Sequence, residues 1–402
     1  MRVEKNVPEI RFTRFSEEWM EKPLNHEVEL FSGLTYSPKD VRKEGVFVIR
    51  SSNVKNGQIV QADNVYVNPE VVNCSNVQKG DIIVVVRNGS RSLIGKHAQV
   101  NLWMDNTVIG AFMTGVRAGH PEFINALFDT DKFTSQVEKN LGATINQITN
   151  GAFNSMVFTF PEVQEKKAIG KTFQKLDNLI NQHQQKHDKI NNIKKAMLEK
   201  MFPKQGETIP EIRFKGFSGA WEEIRLGDMV TCFSGGTPLV GVEEYYKGNI
   251  PFIRSAEINK ASTELTISVS GLKNSSAKMV EVGTVLYALY GATSGEVGRA
   301  KLSGAINQAI LAIIPMAKMC PEFLSHWLRK SKNSIVSTYL QGGQGNLSGD
   351  IVKNLVLMSP TFEEQTAIGN YFQKVDALIN QHQQQITKFN NIKQACLKKM
   401  FV

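Results

Sequence analysis

The chain has 402 residues, with 47 Lys and Arg against 38 Asp and Glu, a formal net charge of +9. Hydrophobic residues at 41% and charged residues at 21% are ordinary for globular proteins, which excludes a disordered chain or a collagen-like fibre, and the length suggests two or three domains. No stretch approaches the roughly 18 uncharged apolar residues of a membrane helix, and Met1–Asn6 has no apolar signal core, so a cytoplasmic protein is expected.

The first element met in chain order is the motif Pro8-Glu-Ile-Arg-Phe12, followed by Phe15-Ser16 and Trp19. It returns as Pro210-Glu-Ile-Arg-Phe214, with Phe217-Ser218 and Trp221. Phe31-Ser-Gly33 likewise matches Phe233-Ser-Gly235, Ile49-Arg-Ser51 matches Ile253-Arg-Ser255, and Pro121-Glu-Phe123 matches Pro321-Glu-Phe323. Residues 161–202 align without a gap on 360–401, with 26 of 42 positions identical. One unit of about 200 residues is written twice.

The divergent part of each half carries short β-type runs broken by Gly, Asn and Ser, among them Val46–Ile49, Ile82–Val86, Val285–Leu289 and Ile310–Ile314. Each Pro-Glu-Phe site fits the start of a short helix, with apolar residues recurring through Leu127 and Leu328. The copied part has another rhythm. Ile169, Phe173, Leu176, Ile180, His183, His187, Ile190, Lys194, Met197 and Met201 fall in steps of four and three, as do Ile368, Phe372, Val375, Ile379, His382, Ile386, Phe389, Lys393, Cys396 and Met400. That period predicts a coiled-coil helix in each half, about 35 residues and roughly 50 Å long.

The expected fold class is α+β. Two β-rich mixed globular domains, residues 1–160 and 204–359, alternate with helical segments 161–203 and 360–402. The helices are expected to pair as a long antiparallel two-helix coiled coil separating the domains, with pseudo-two-fold symmetry.

Catalytic signals are weak. Gly291-Ala-Thr-Ser-Gly295-Glu-Val-Gly298 lacks the Lys-Ser/Thr of a phosphate loop and reads as a tight turn. His183 and His187 have the spacing of a zinc pair without the Glu of an HExxH motif, so a polar layer in the coiled coil is the better reading, and no metal site is expected. Cys74, Cys232, Cys320 and Cys396 are scattered and predict isolated thiols. No Gly-x-Ser-x-Gly elbow and no DPPY- or NPPY-type tetrapeptide is present. The chain is expected to be non-catalytic.

Charge does not mark either domain as a DNA binder. Residues 21–160 hold 13 basic and 13 acidic side chains and residues 222–359 hold 13 and 11, while the helical segments hold 9 against 5 and 5 against 3. The local chemistry of the strand ends is more telling. Arg50, Ser51, Ser52 and Asn53 follow one strand and Arg87, Asn88, Ser90 and Arg91 another. Tyr246, Arg254, Ser255, Glu257, Tyr290, Thr293 and Ser294 occupy like places in the second half, with Gln344 and Asn346 in a further polar loop. Arg is suited to bidentate contact with guanine and Asn with adenine, so these are the candidate DNA-contacting residues; polar hairpin loops facing water are the plainer alternative.

Taken together these residues resemble the specificity subunit of type I restriction-modification systems, over essentially the whole length. The likeness rests on Phe233-Ser-Gly-Gly-Thr-Pro238, Tyr245-Tyr-Lys-Gly-Asn-Ile-Pro-Phe252, and Pro360-Thr-Phe-Glu-Glu-Gln365-Thr-Ala-Ile368. In the first half it rests on Gly33-Leu-Thr-Tyr-Ser-Pro38 and Ile49-Arg-Ser-Ser-Asn53, with Lys166 standing where the family pattern has Gln. The resemblance implies two target recognition domains reading a split, asymmetric DNA site, and helices docking two modification subunits, with restriction subunits added. It implies no cofactor in this chain, S-adenosylmethionine, ATP and Mg2+ belonging to the partners. A DNA-binding repressor and a non-catalytic protein-interaction adaptor are the competing classes.

Overall fold

The structure is a computed structural model, and it describes residues 6–141, 146–340 and 346–402. The chain forms two compact units, Met1–Gln184 with Gln384–Val402, and Gln185–Gln383. The cuts pass through both long helices, Val163–Lys200 and Phe362–Met400. Each unit is therefore a globular domain with the start of one helix and the end of the other. No described helix is long and apolar enough to cross a membrane.

In the first unit an antiparallel sheet runs Val28–Ser32, Met113–Ala118, Ile82–Val85, His97–Gln99 in spatial order. A second sheet runs Thr107–Ile109, Val46–Ile49, Val65–Val67, Val41–Arg42, its first pair parallel. Ile82–Val85 and Val46–Ile49 are buried at every position, which is why they read as unbroken apolar runs instead of alternating ones. The second unit repeats the plan. Val230–Ser234, Ile310–Pro315, Val285–Ala288 and Val297–Arg299 form the first sheet, and Leu265–Ile267, Tyr246–Ile253, Gly304–Ile306 and Lys278–Val280 the second, again with one parallel pair.

The helix after each Pro-Glu-Phe site differs between the halves. In the first unit it stops at Phe128, and a new helix, Asp131–Asn140, starts behind Thr130, whose hydroxyl accepts from the Phe133 N–H at 3.3 Å. In the second unit Pro321–Tyr339 runs on for 19 residues, longer than the short helix expected from the sequence. Lys330 stands where Thr130 caps, and it carries no group that accepts a backbone N–H.

The copied helices form a seam inside each unit. In the first, Asp177 pairs with Lys393, His183 lies against Phe389 and Phe173 against Phe401, partners whose numbers rise and fall in opposite senses, so the two segments are antiparallel. The second unit shows the same pairing through Lys194 with Asp376 and Phe202 with Phe372. Ile169, Phe173, Ile368, Phe372, Val375 and Ile386 are buried; Leu176, Ile180, His183, Ile190, Met197, Ile379, His382 and Phe389 are half-buried. None of these seam positions faces solvent fully.

The repeated Pro-Glu-Ile-Arg motif straps the end of one helix to the start of the other. In the first unit Glu9 pairs with Lys399, the Ile10 N–H donates to the Lys399 carbonyl at 2.9 Å, and Arg11 forks onto Glu165 at 2.8 and 2.7 Å. In the second unit Glu211 pairs with Lys200, Ile212 donates to the Lys200 carbonyl, and Arg213 forks onto Glu364 at 2.7 and 2.6 Å. The strap satisfies a carbonyl that the helix end leaves open. Each Glu also sits in the first turn of its helix, where the dipole favours a negative charge.

The two junctions differ one position further on. Gln365, buried, accepts from the Cys320 N–H and donates to Ser359 and Pro360. Lys166 cannot accept; it is buried as an ion pair with Glu27 at 2.5 Å and lies over the Phe160 ring. Glu27 is matched by the uncharged Met229, so the departure of Lys166 from the family pattern comes with its own counter-charge.

Removing the strap arginine leaves a buried carboxylate without its cation, a change that costs about 3 kcal/mol or more. Glu165 would keep the Trp19 indole N–H at 3.2 Å, whereas the Trp221 indole nitrogen is buried without a partner and gives Glu364 nothing. Arg213→Ala should therefore lower stability more than Arg11→Ala, a ranking that calorimetric melting of the two variants checks; equal losses would mean that the Trp19 bond contributes nothing.

Candidate nucleic-acid interface

The candidate residues cluster where the buried strands end. After Val46–Ile49 the chain enters a short 3-10 turn, Ser51–Asn53. Asn53 is wholly buried: its Oδ1 accepts from the Arg50 N–H at 2.9 Å, and its amide donates to the Ala62 and Val60 carbonyls at 2.7 and 3.2 Å. Arg50 donates to the Asp63 carboxylate and carbonyl, both at 2.6 Å. The second unit repeats the device with different chemistry. Glu257 accepts from the Arg254 backbone N–H and Nε at 3.1 Å and from the Glu264 N–H at 2.9 Å, and Arg254 also pairs with Glu264 at 2.5 Å.

These contacts change the standing of four sequence candidates. Asn53 and Glu257 point inward and pin their own loops, so neither offers a free edge to a base. Burial pushes the Glu257 carboxyl up, but Arg254 and two backbone N–H groups override it and hold it below the usual range. The Arg254 guanidinium is held by two carboxylates, which raise its pKa further. Ser294 is also buried, its hydroxyl donating to the Gly291 carbonyl at 2.8 Å within the turn formed by Gly291–Thr293.

Other candidates are brought together at one rim. In the first unit the Asn88 amide donates to the Ser51 hydroxyl at 3.1 Å, joining the two loops. Arg87 lies over the Phe112 ring at 4.8 Å and forms an isolated β-bridge with Gln147. Ser52, Arg87, Ser90 and Arg91 are exposed, and Ser51 and Asn88 half-buried. Beside them an open groove of about 730 Å3 is lined by Tyr36, Arg50, Ser51, Ser52 and Phe112 among others. In the second unit Tyr290 bridges Asn346 as Arg87 bridges Gln147. Thr293 and Ser255 are half-buried, and the half-buried Tyr246 donates its hydroxyl to the Pro238 carbonyl at 2.7 Å. Gln344 lies outside the described residues.

Sequence reasoning missed Phe112, Gln147 and the Thr237–Gln308 pair, whose hydroxyl and amide meet at 2.7 Å. Phe112 is 53% exposed, an aromatic in a turn between two strands, and that position is a readable signal. Exposed guanidinium, amide and hydroxyl groups beside an aromatic face can meet base edges or stack on a base. Among the described residues no three His, Cys, Asp or Glu groups gather as a metal site.

The geometry separates the two arginines the sequence treated alike. Arg254→Ala should lose about 1 to 2 kcal/mol of stability, because Glu257 loses its charged partner and keeps only two backbone N–H groups, and the loss will show in melting before any DNA is added. Arg87→Ala should melt as the parent does and weaken binding of the target duplex by about tenfold, measured by titration with labelled DNA. An Arg87→Ala chain that melts normally and binds equally well would remove Arg87 from the interface.

Comparison with known proteins agrees with this architecture. The family model described as the type I restriction modification DNA specificity domain matches twice, over residues 16–192 and 219–388. The chain is 22% identical over 423 residues to the type I restriction enzyme StySPI specificity subunit of Salmonella potsdam, covering 96% of this chain and 89% of that one. It is 22% identical over 424 residues to the EcoKI specificity subunit of Escherichia coli K12, with the same coverage. The crystal structure of the type I restriction-modification S subunit from M. genitalium superposes with a TM-score of 0.71 at 16% identity, over 98% of this chain and 99% of that one, a likeness of fold. With both halves matched, the chain belongs to the family of type I restriction-modification specificity subunits and carries two DNA specificity domains.

Proposed function

We propose that each globular domain reads one half of a split, asymmetric DNA sequence, and that the two helices scaffold two modification subunits to which restriction subunits are added. The observation that carries this reading is the uneven divergence of the repeat. The same fold occurs twice with the same placement of strand ends, yet at the rim Arg87 and Gln147 of the first unit become Tyr290 and Asn346 in the second. Two readers with different side chains at matched places suit two different half-sites.

The helices support the scaffolding part. Leu179 and Ile193 on the first helix, and Leu378 and Ile392 on the second, are 38 to 46% exposed and occupy equivalent positions of the repeat. Apolar groups kept outward twice, at the same places, suit two copies of one partner surface. In this reading the methyl donor S-adenosylmethionine, ATP and Mg2+ belong to the partner subunits, and the chain contributes address and assembly.

The test exchanges residues 21–160 for the first domain of another family member and maps methylated adenines in cells supplying the modification subunit. One half of the methylated motif should change and the other persist. A motif altered in both halves would show that the domains do not read independently.

A further inference from the structure

The first unit has a cavity of about 470 Å3, open to solvent at its rim, where the globular domain meets the helix segments, a size typical of small-ligand sites. Three carboxylates, Glu122, Asp129 and Asp177, line it against one ammonium, Lys393, which pairs with Asp129 at 2.7 Å and Asp177 at 2.5 Å. His97 approaches Asp129 at 3.5 Å. The tip of the hairpin formed by Val54–Lys55 and Gln58–Ile59 forms one wall; its Asn56-Gly57 turn has φ of 51° and 68°, the left-handed geometry of a two-residue hairpin loop.

Two polar groups in this cavity lack partners. Gln99, 7% exposed, lines it and makes no side-chain hydrogen bond among the described residues. The Asn125 Oδ1 is fully buried and equally unsatisfied. The Gln99 amide is open to the cavity with its donors and acceptor unused, and a polar group so nearly buried normally has a partner.

The second unit shows what chemistry fits. Gln99 pairs with Ile82 across its sheet as Arg299 pairs with Val285, which makes Arg299 its counterpart. Likewise Glu122 corresponds to Glu322, Asp129 to Arg329 and Asp177 to Asp376. There Arg299 pairs with Glu322 at 2.9 Å and Arg329 approaches Asp376 at 3.6 Å. The second unit thus supplies guanidinium groups to Glu322 and Asp376, the counterparts of Glu122 and Asp177, one of them from the position that Asp129 holds in the first unit.

We propose that the cavity of the first unit binds a small guanidinium-bearing molecule, held by Glu122, Asp129 and Asp177 and hydrogen-bonded by Gln99, taking the place that the Arg299 side chain fills in the second unit. A guanidinium presents five N–H donors in a planar fork, which matches carboxylate and amide acceptors converging from several sides.

The probe is agmatine, titrated calorimetrically into the full-length chain. One site per chain is expected, with affinity reduced at least about tenfold in Asp129→Asn. Gln99→Arg should fill the cavity with the chain's own guanidinium, abolish agmatine binding, and melt no lower than the parent, which separates a plugged site from a damaged fold. Absence of binding at millimolar agmatine, or equal binding by a folded Gln99→Arg chain, would overturn the proposal.

Discussion

The structure depends on a buried ion pair made twice. Arg11 on Glu165 and Arg213 on Glu364 fasten an extended strap to the first turn of a long helix, with the carboxylates 0 and 1% exposed. A carboxylate at that depth is tolerable only with a cation and further donors fixed in place, so the geometry around it is tightly specified. The strap residue just before each arginine closes the last turn of the other helix. Next to this knot lie the phenylalanines that follow each helix: Phe401 meets Trp19, Phe123 and Phe173, and Phe202 meets Trp221, Phe323 and Phe372. Burying such a ring contributes about 1.5 to 3 kcal/mol.

The two closures draw on different parts of the chain. The core of the first unit includes Leu397, Met400 and Phe401, so that unit is assembled from two stretches of chain far apart in sequence. The second unit is continuous in sequence and takes its ring from Phe202. Identical closures let the domains diverge elsewhere: what the helices and straps need is fixed by the knot, while loops at the strand ends and the residues under the hairpin are free to change. Lys166 with Glu27 in one half, against Gln365 and Met229 in the other, shows that even the edge of the knot accepts a new solution when both partners change together.

Much of this was legible in the sequence, for identifiable reasons. The duplication was visible because straps and helices are copied nearly letter for letter, and the seam because apolar residues at steps of four and three have one simple use. Buried strands announced themselves as apolar runs. The loops were harder. Asn53 and Glu257 read as base contacts because side-chain chemistry is visible in a sequence and side-chain direction is not; their place three positions after Arg50 and Arg254 was the available sign of a capping arrangement that turns them inward. Phe112 went unnoticed because one aromatic in a turn has no periodicity to mark it. The cavity beneath Asn56 and Gly57 was out of reach, since it is built from five separate stretches of chain and becomes visible only when Gln99 and Arg299 are placed in the same register.

Residues 386–400 of the second helix are an integral part of the first domain. Hydrogen exchange followed by mass spectrometry tests this most directly, because protection reports the opening free energy of each segment. Amides of residues 386–400 should exchange together with those of 163–176 and 121–128, at the rate of the first unit's core. Exchange of 386–400 at a rate near that of a free helix, while 121–128 stays protected, would contradict the account.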